Sequence, residues 1–308
     1  MHAFIRMTFI TVVAFVGLSL HVMAAEPEFI IGFPEDNMSN DWRAAQMREI
    51  KAELAKYPNV KFLMADAQGD VAQNVADIED MAAQGAQLLF LGPRNPDVVS
   101  LVVSRLRKQG VHIVLLTRKL NNKNYDTYIS PDDFMIGYQA ALFLAEQLGG
   151  SGRVLMLEGV PTTTTSIKRK GGFIAGLSNY PDIRVISKVA HYSRAEAVRV
   201  MGDVLRDGLH FDAIFSHNDA MATGARIVLK SKGIAPGSIP TVGIDFLQET
   251  KLAILNGEQL ASFTYPTCGK VGVLAAMDIL RGKKVKRFIS VPFKLVTRKN
   301  VQETAPAF

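Results

Sequence analysis

Residues 213–219 read Ala213-Ile214-Phe215-Ser216-His217-Asn218-Asp219, a helix-length segment follows from Ala220 to Lys232, and residues 241–245 read Thr241-Val242-Gly243-Ile244-Asp245. A short apolar run with a polar tip is followed by a helix and then by a second apolar run with a polar tip. This is one βαβ step, because parallel neighbours need a crossover long enough to hold a helix. The runs do not alternate apolar and polar residues, which fits strands covered on both faces.

Outward from this step the same unit recurs. Apolar runs begin at Phe29, Val60, Leu88 and Val111, then after a break at Val154, Val185, Ala213 and Thr241. The intervening segments carry helical spacing: Ala45, Ile50, Leu54 and Tyr57 within Trp42 to Tyr57; Val71, Val75, Ile78 and Ala82; and Val98, Leu101, Val102 and Leu106. Pro96 and Asp97 suit the first turn of the third helix and Gly110 its end. Ser193 suits the N-cap of a helix beginning near Arg194. Two arrays of such units predict an α/β fold of two doubly wound, parallel-sheet lobes.

The first 25 residues differ in kind. Arg6 is their only charged residue, Phe9 to Leu20 is apolar, and Val22-Met23-Ala24 places small residues at a cleavage position. This order predicts an export signal, and hence a periplasmic mature protein beginning at Ala25 or Glu26. The apolar run is shorter than the ~20 residues a membrane-spanning helix needs. The whole chain carries 35 basic and 29 acidic residues, a net charge of +6. Loss of Arg6 with the signal lowers the net charge to +5. The charges are dispersed, with clusters only at Lys168-Arg169-Lys170 and Arg281 to Arg287, which argues against a nucleic-acid partner. The single cysteine, Cys268, excludes an internal disulfide and reads as a small buried residue.

Enzyme signatures are missing: there is no G-x-S-x-G, G-x-x-x-x-G-K-[ST] or H-E-x-x-H. Gly149 to Gly152 precedes a strand and so cannot cradle a phosphate in the usual way. His191 and His217 have no third ligand at recognisable spacing, so no metal and no cofactor are expected. In sheets of this kind ligands bind beyond the carboxyl ends of the strands. Those ends carry Gly32 to Asp41, Asp66-Ala67-Gln68, Gly92-Pro93-Arg94, Thr117-Arg118, Gly159 to Thr165, His191-Tyr192, His217-Asn218-Asp219 and Asp245-Phe246. Aromatics, carboxylates, amides and arginines together suit a sugar, whose CH faces stack on rings and whose hydroxyls need paired donors and acceptors.

At these strand ends the chain resembles the ribose- and galactofuranose-binding proteins of the type I periplasmic binding family. The resemblance rests on Gly32-Phe33 with Trp42-Arg43, Asp66-Ala67-Gln68, Leu116-Thr117-Arg118, Arg169 with Gly171-Gly172-Phe173, Phe215 to Asp219 and Val242 to Asp245. It implies two lobes joined by three hinge crossovers, near Ile129 to Asp133, Tyr265 to Cys268 and Val291 to Val296. The lobes would then be residues 26–130 with 267–291, and 131–266 with 292–308. It also implies a monomer that captures a pentose or hexose, in furanose form included, and delivers it to an inner-membrane ABC permease. The alternative is a sensor serving a chemoreceptor or histidine kinase.

Carried over by residue, the resemblance implies ligand contacts from Trp42, Arg43, Thr117 and Arg118 in the first lobe. From the second it implies Arg169, Tyr192, Asn218 and Asp245, with Tyr265 at a hinge where ribose-binding relatives carry glutamine. Thr117 departs from the aspartate the family usually places before its fourth-strand arginine. Either the ligand lacks a hydroxyl pair there, or Glu35 or Asp36 supplies the charge instead. Each residue also has a purely structural reading: Asp245 as the cap of a helix over Leu247 to Leu255, Trp42 as a core aromatic, and Arg169 as a surface arginine. Of the pair after the eighth run, Asp219 is expected to cap the following helix and Asn218 to meet the ligand.

Overall fold

The computed structural model describes residues 28–307; the expected export signal, residues 1–25, lies outside them. In chain order the elements of the first half are β1 (Phe29–Glu35), α1 (Asp41–Leu54), β2 (Val60–Asp66), α2 (Val71–Ala83), β3 (Leu88–Leu91), α3 (Pro96–Lys108), β4 (His112–Leu116) and β5 (Thr127–Ser130). Then follow α4 (Asp133–Gln147), β6 (Gly152–Glu158), α5 (Thr164–Gly176), β7 (Ile183–Val189), α6 (Arg194–Arg206), β8 (Ala213–Ser216), α7 (Asp219–Ser231) and β9 (Thr241–Asp245). The chain closes with α8 (Gln248–Leu255), β10 (Ala261–Thr264), α9 (Gly269–Leu280), β11 (Phe288–Ser290) and β12 (Leu295–Thr297).

The strands form two six-stranded sheets, ordered β11-β5-β4-β3-β1-β2 and β12-β10-β9-β8-β6-β7. Four of the fully buried strands, β3, β5, β8 and β9, have side chains shielded on both faces, the burial expected of parallel strands between helical layers. Polar caps start the helices: Asn40, Asp70, Asn95, Asp132, Thr163, Ser193 and Asn218 each accept a backbone N–H of the first turn. Helix α1 stops at Leu54, short of Tyr57, whose N–H turns back to the Leu54 carbonyl at 2.9 Å.

The chain passes between the sheets after β5, after β10 and after β11. One expectation of the sequence needs correction: β12 runs antiparallel to β10, so the second sheet is not parallel throughout. The reason is geometric. The carboxyl ends of the two sheets face each other, and β11 runs into β12 across residues 291–294 with no helix to reverse the chain. A strand entering the second sheet from that side must run against its neighbours.

Helices α4 and α5 pack at very short range through glycines. A Cβ on Gly137 would lie 2.1 Å from the Arg169 carbonyl oxygen, and one on Gly172 would lie 2.0 Å from that of Phe134. This contact seats Arg169, on α5, against Asp133, the first residue of α4.

Candidate functional site

The facing carboxyl ends enclose a cavity of about 500 Å³. Its wall includes Asp36, Trp42, Arg43, Arg94, Thr117 and Arg118 from the first sheet's side, and Thr165, Arg169, Tyr192, Asn218, Asp245 and Tyr265 from the second's. Nine of the ten residues singled out in the sequence therefore meet at one place.

Each buried arginine is anchored by part of its guanidinium. Arg118 directs Nη1 at both Asp36 carboxylate oxygens, 3.1 Å each, and at the Gly92 carbonyl. Arg43 donates to Gln46 Oε1 at 2.9 Å, lies 3.6 Å from Glu35 and sits over the Trp42 ring. Arg169 donates Nε to Asp133 Oδ1 at 2.9 Å and Nη1 to the His217 carbonyl, with its guanidinium 4.4 Å from the centre of the Tyr265 ring. The Tyr265 hydroxyl donates to the other Asp133 oxygen at 3.3 Å. A guanidinium has five N–H donors, so each arginine keeps donors for a guest beyond those its anchors take.

The acceptor on the opposite wall is Asp245. The residue is 5% exposed, and its carboxyl takes no hydrogen bond from the described residues. Burial pushes its pKa well above the usual carboxylate range, while Arg169 pulls it back. Asp36 behaves oppositely: burial would raise it, but Arg118, the hydrogen bond with Glu35 and the charges of Arg43 and Arg94 together outweigh that and hold it at about 2. Trp42 donates its indole N–H to the Tyr265 carbonyl at 2.9 Å and its ring lies 5.6 Å from that of Tyr265. Together these rings make an aromatic wall.

Hydrogen bonds cross the cleft from one side to the other. Thr162 Oγ1 donates to the Arg94 carbonyl at 2.8 Å, the Lys119 N–H to Thr164 Oγ1 at 3.0 Å, and Thr165 Oγ1 to the Thr117 carbonyl at 3.2 Å. The two halves stand closed on the cavity.

Several expectations change. Glu35 is not on the cavity wall. As the last residue of β1, its side chain is fully buried beneath Arg43. Burial raises its pKa well above the usual value, against the pull of Arg43. Asp36, one residue on, supplies the charge to Arg118. Asn218, not Asp219, caps α7: its Oδ1 accepts the Met221 N–H at 3.0 Å. Asp219 is fully buried and accepts from Ser262 Oγ at 2.7 Å, Gln259 Nε2 at 3.0 Å and the Phe246 N–H at 2.7 Å. Asp245 does not cap α8, whose N-cap position is Leu247 with no side-chain hydrogen bond.

His191 sits at the rim, 2.7 Å from Glu196, whereas His217 is buried behind Gly159. Among the described residues no group of His, Cys, Asp or Glu is placed to hold a metal ion. Sequence reasoning gave no individual role to Asn40, Arg94, Thr165 or Asp133. Asn40, Arg94 and Thr165 lie within the expected strand ends and Asp133 at an expected crossover, but the roles of Asn40, Thr165 and Asp133 depend on contacts with distant parts of the chain.

The model of one family, described as periplasmic binding protein domain, matches residues 31–284. The chain belongs to that family. Relatives of this periplasmic binding protein include the ribose import binding protein RbsB of Bacillus subtilis (strain 168), 32% identical over 277 residues that cover 88% of each chain. The galactofuranose-binding protein YtfQ of Escherichia coli (strain K12) is 26% identical over 298 residues, covering 94% of this chain and 92% of that one. Among solved structures, the fructose-binding periplasmic domain of a hybrid two-component system superposes with a TM-score of 0.84 at 29% identity, covering 89% of this chain and 92% of that one. The resemblance to ribose- and galactofuranose-binding proteins holds, and this is a family of binding proteins, not of enzymes.

Proposed function

We propose that the protein captures a monosaccharide, a pentose or hexose in pyranose or furanose form, between two lobes in the periplasm and delivers it to an inner-membrane ABC importer. One observation carries the reading: the wall pairs three anchored arginines and an aromatic face with an unengaged acceptor, Asp245. A hydroxyl accepts and donates at once, so a polyol can accept from arginine N–H groups and donate hydrogen bonds to Asp245. The volume of about 500 Å³ lies within the ~300–1,000 Å³ range of small-molecule sites.

In this reading the lobes are residues 26–130 with 267–291, and 131–266 with 292–308, and the protein acts as a monomer after an N-terminal signal exports it. The sugar touches both lobes only when they close, so binding shifts the population toward the closed form that the permease recognises. The ligand-binding residues are Trp42, Arg43, Thr117, Arg118, Arg169, Tyr192, Asn218, Asp245 and Tyr265, with Asp36 in place of Glu35.

The test is a thermal-shift and calorimetric screen of the mature protein against pentoses, hexoses and amino acids. A true ligand at a hundred times its Kd stabilises by about 2.7 kcal/mol, several degrees of melting temperature. Stabilisation by an amino acid and by none of the sugars would overturn the assignment. A second reading, a sensor that presents the sugar to a signalling partner, is favoured by the likeness to the two-component fructose-binding domain. Loss of labelled-sugar uptake on deletion of the gene supports import. Unchanged uptake with lost transcriptional response supports sensing.

A further inference from the structure

We propose that Gly159 is a positioning residue that sets how large a sugar the cavity admits, by fixing the depth of the Tyr192 ring; this rests on the monosaccharide reading above. Tyr192 lines the cavity and Gly159 does not. The ring stands between the glycine and the guest space, with its hydroxyl end directly over Gly159. A Cβ at position 159 would lie 2.0, 2.3 and 2.4 Å from Cζ, Cε1 and Cε2 of that ring. The Tyr192 hydroxyl is buried and meets no hydrogen-bonding partner among the described residues, so the ring tip rests on the glycine and does not reach into the cavity.

Both sides of this contact are held. The Gly159 N–H donates to Nδ1 of His217 at 3.2 Å, and the His217 carbonyl is taken by Arg169. The Tyr192 main chain is in the left-handed region at φ 63°, and its carbonyl accepts from Asn40 Nδ2 at 3.1 Å and Asn218 Nδ2 at 3.2 Å. The guanidinium carbons of Arg118 and Arg169 lie 5.9 and 6.0 Å from the ring centre. With the main chain pinned and the floor fixed, a side chain added at 159 drives the ring by more than an ångström away from the glycine, toward the cavity it lines. A ring displaced over its whole face removes room comparable to a hydroxymethyl group. Gly159 thus defines the floor without touching the sugar.

The experiment measures Kd by calorimetry for matched pairs that differ by one hydroxymethyl group, D-galactose with L-arabinose and D-glucose with D-xylose. The wild type, Gly159→Ala, Tyr192→Leu and the double variant are compared. Gly159→Ala is expected to weaken the hexose at least tenfold more than its pentose, and the double variant to recover hexose affinity relative to Gly159→Ala. Tyr192→Leu alone shifts the ratio toward the hexose, and it decides the question if Gly159→Ala fails to fold. Equal loss for both members of a pair, no loss, or a double variant weaker than Gly159→Ala overturns the inference alone. If the wild type binds none of the four, the pair is replaced by the pentose or hexose found in the thermal-shift screen and its analogue differing by one hydroxymethyl group; if it binds no pentose or hexose at all, the inference falls together with the reading it rests on.

Discussion

The carbonyl of Tyr192 accepts a hydrogen bond from the side-chain amide of Asn40 across the cleft, at 3.1 Å. Asn218 donates to the same oxygen from its own side at 3.2 Å. Both asparagines are helix N-caps, using Oδ1 for the Trp42 N–H of α1 and the Met221 N–H of α7. An amide can do this because its acceptor and donor point apart. Two helix starts on opposite sides of the cleft therefore converge on one oxygen.

Replacing Asn40 with Asp keeps the cap and turns the donor into a carboxylate facing a carbonyl. The closed form then loses one hydrogen bond, about 1 kcal/mol, and sugar affinity is expected to fall at least fivefold through faster release. Stopped-flow dissociation measures this, and an unchanged release rate would show that the bridge does not hold the cleft shut.

Arg118→Ala and Arg169→Ala separate binding from stability. Each removes donors facing the cavity and is expected to weaken sugar binding by about 2 kcal/mol or more. Only Arg169→Ala also strands a fully buried acid, Asp133. It should lower unfolding free energy by ~3–5 kcal/mol, whereas Asp36, facing the cavity, leaves Arg118→Ala less affected. Urea titration with calorimetry distinguishes them, and wild-type binding by both variants would mean the pocket is elsewhere.

Asp219 brackets the kink after β9, where Asp245 and Phe246 both have positive φ, 118° and 56°. Burial raises its pKa to about 6 from 3.8, even though Ser262 and Gln259 donate to its carboxylate. The folded state therefore holds this proton more tightly than the unfolded chain. The resulting stability is fully present below about pH 4 and is lost as pH rises through about 6. It amounts to about 3 kcal/mol, measured as the pH-dependent difference in unfolding free energy between wild type and Asp219→Asn. A difference that stays constant from pH 4 to 7 would contradict it.

Trp42 is the chain's single tryptophan, and it sits on the cavity wall with its N–H on the Tyr265 carbonyl. A bound sugar displaces water from beside the indole, so emission should change saturably during titration. Sugars that give no thermal shift should leave emission unchanged.

Much of the fold was legible because buried parallel strands must be continuous apolar runs and their crossovers must be helices. All eight runs found by that rhythm are strands, from β1 at Phe29 to β9 at Thr241. The rhythm did not reveal β5, β10, β11 and β12, which are three or four residues long. β3 and β8 are as short but lie on the regular strand–helix spacing, whereas β5, β10, β11 and β12 fall outside it and are fixed by their neighbours. The site was legible for a related reason: polar residues at the carboxyl ends of strands have one place to go. The cap of α7 went to Asn218, which also lines the cavity, and not to Asp219, because a cap depends on backbone angles at one residue and adjacent Asn and Asp offer the same cap chemistry.

The sequence by itself determined that two sheets form and which strand ends carry the polar tips, since burial of apolar runs and helical spacing are local consequences of residue order. Tertiary structure alone decided which charges pair and how deep each side chain sits. Arg169 with Asp133, Arg118 with Asp36, and Tyr192 on Gly159 join residues 33 to 82 positions apart. Such pairings are selected by the desolvation of buried charge and by close packing, which act through space and leave no periodic trace along the chain.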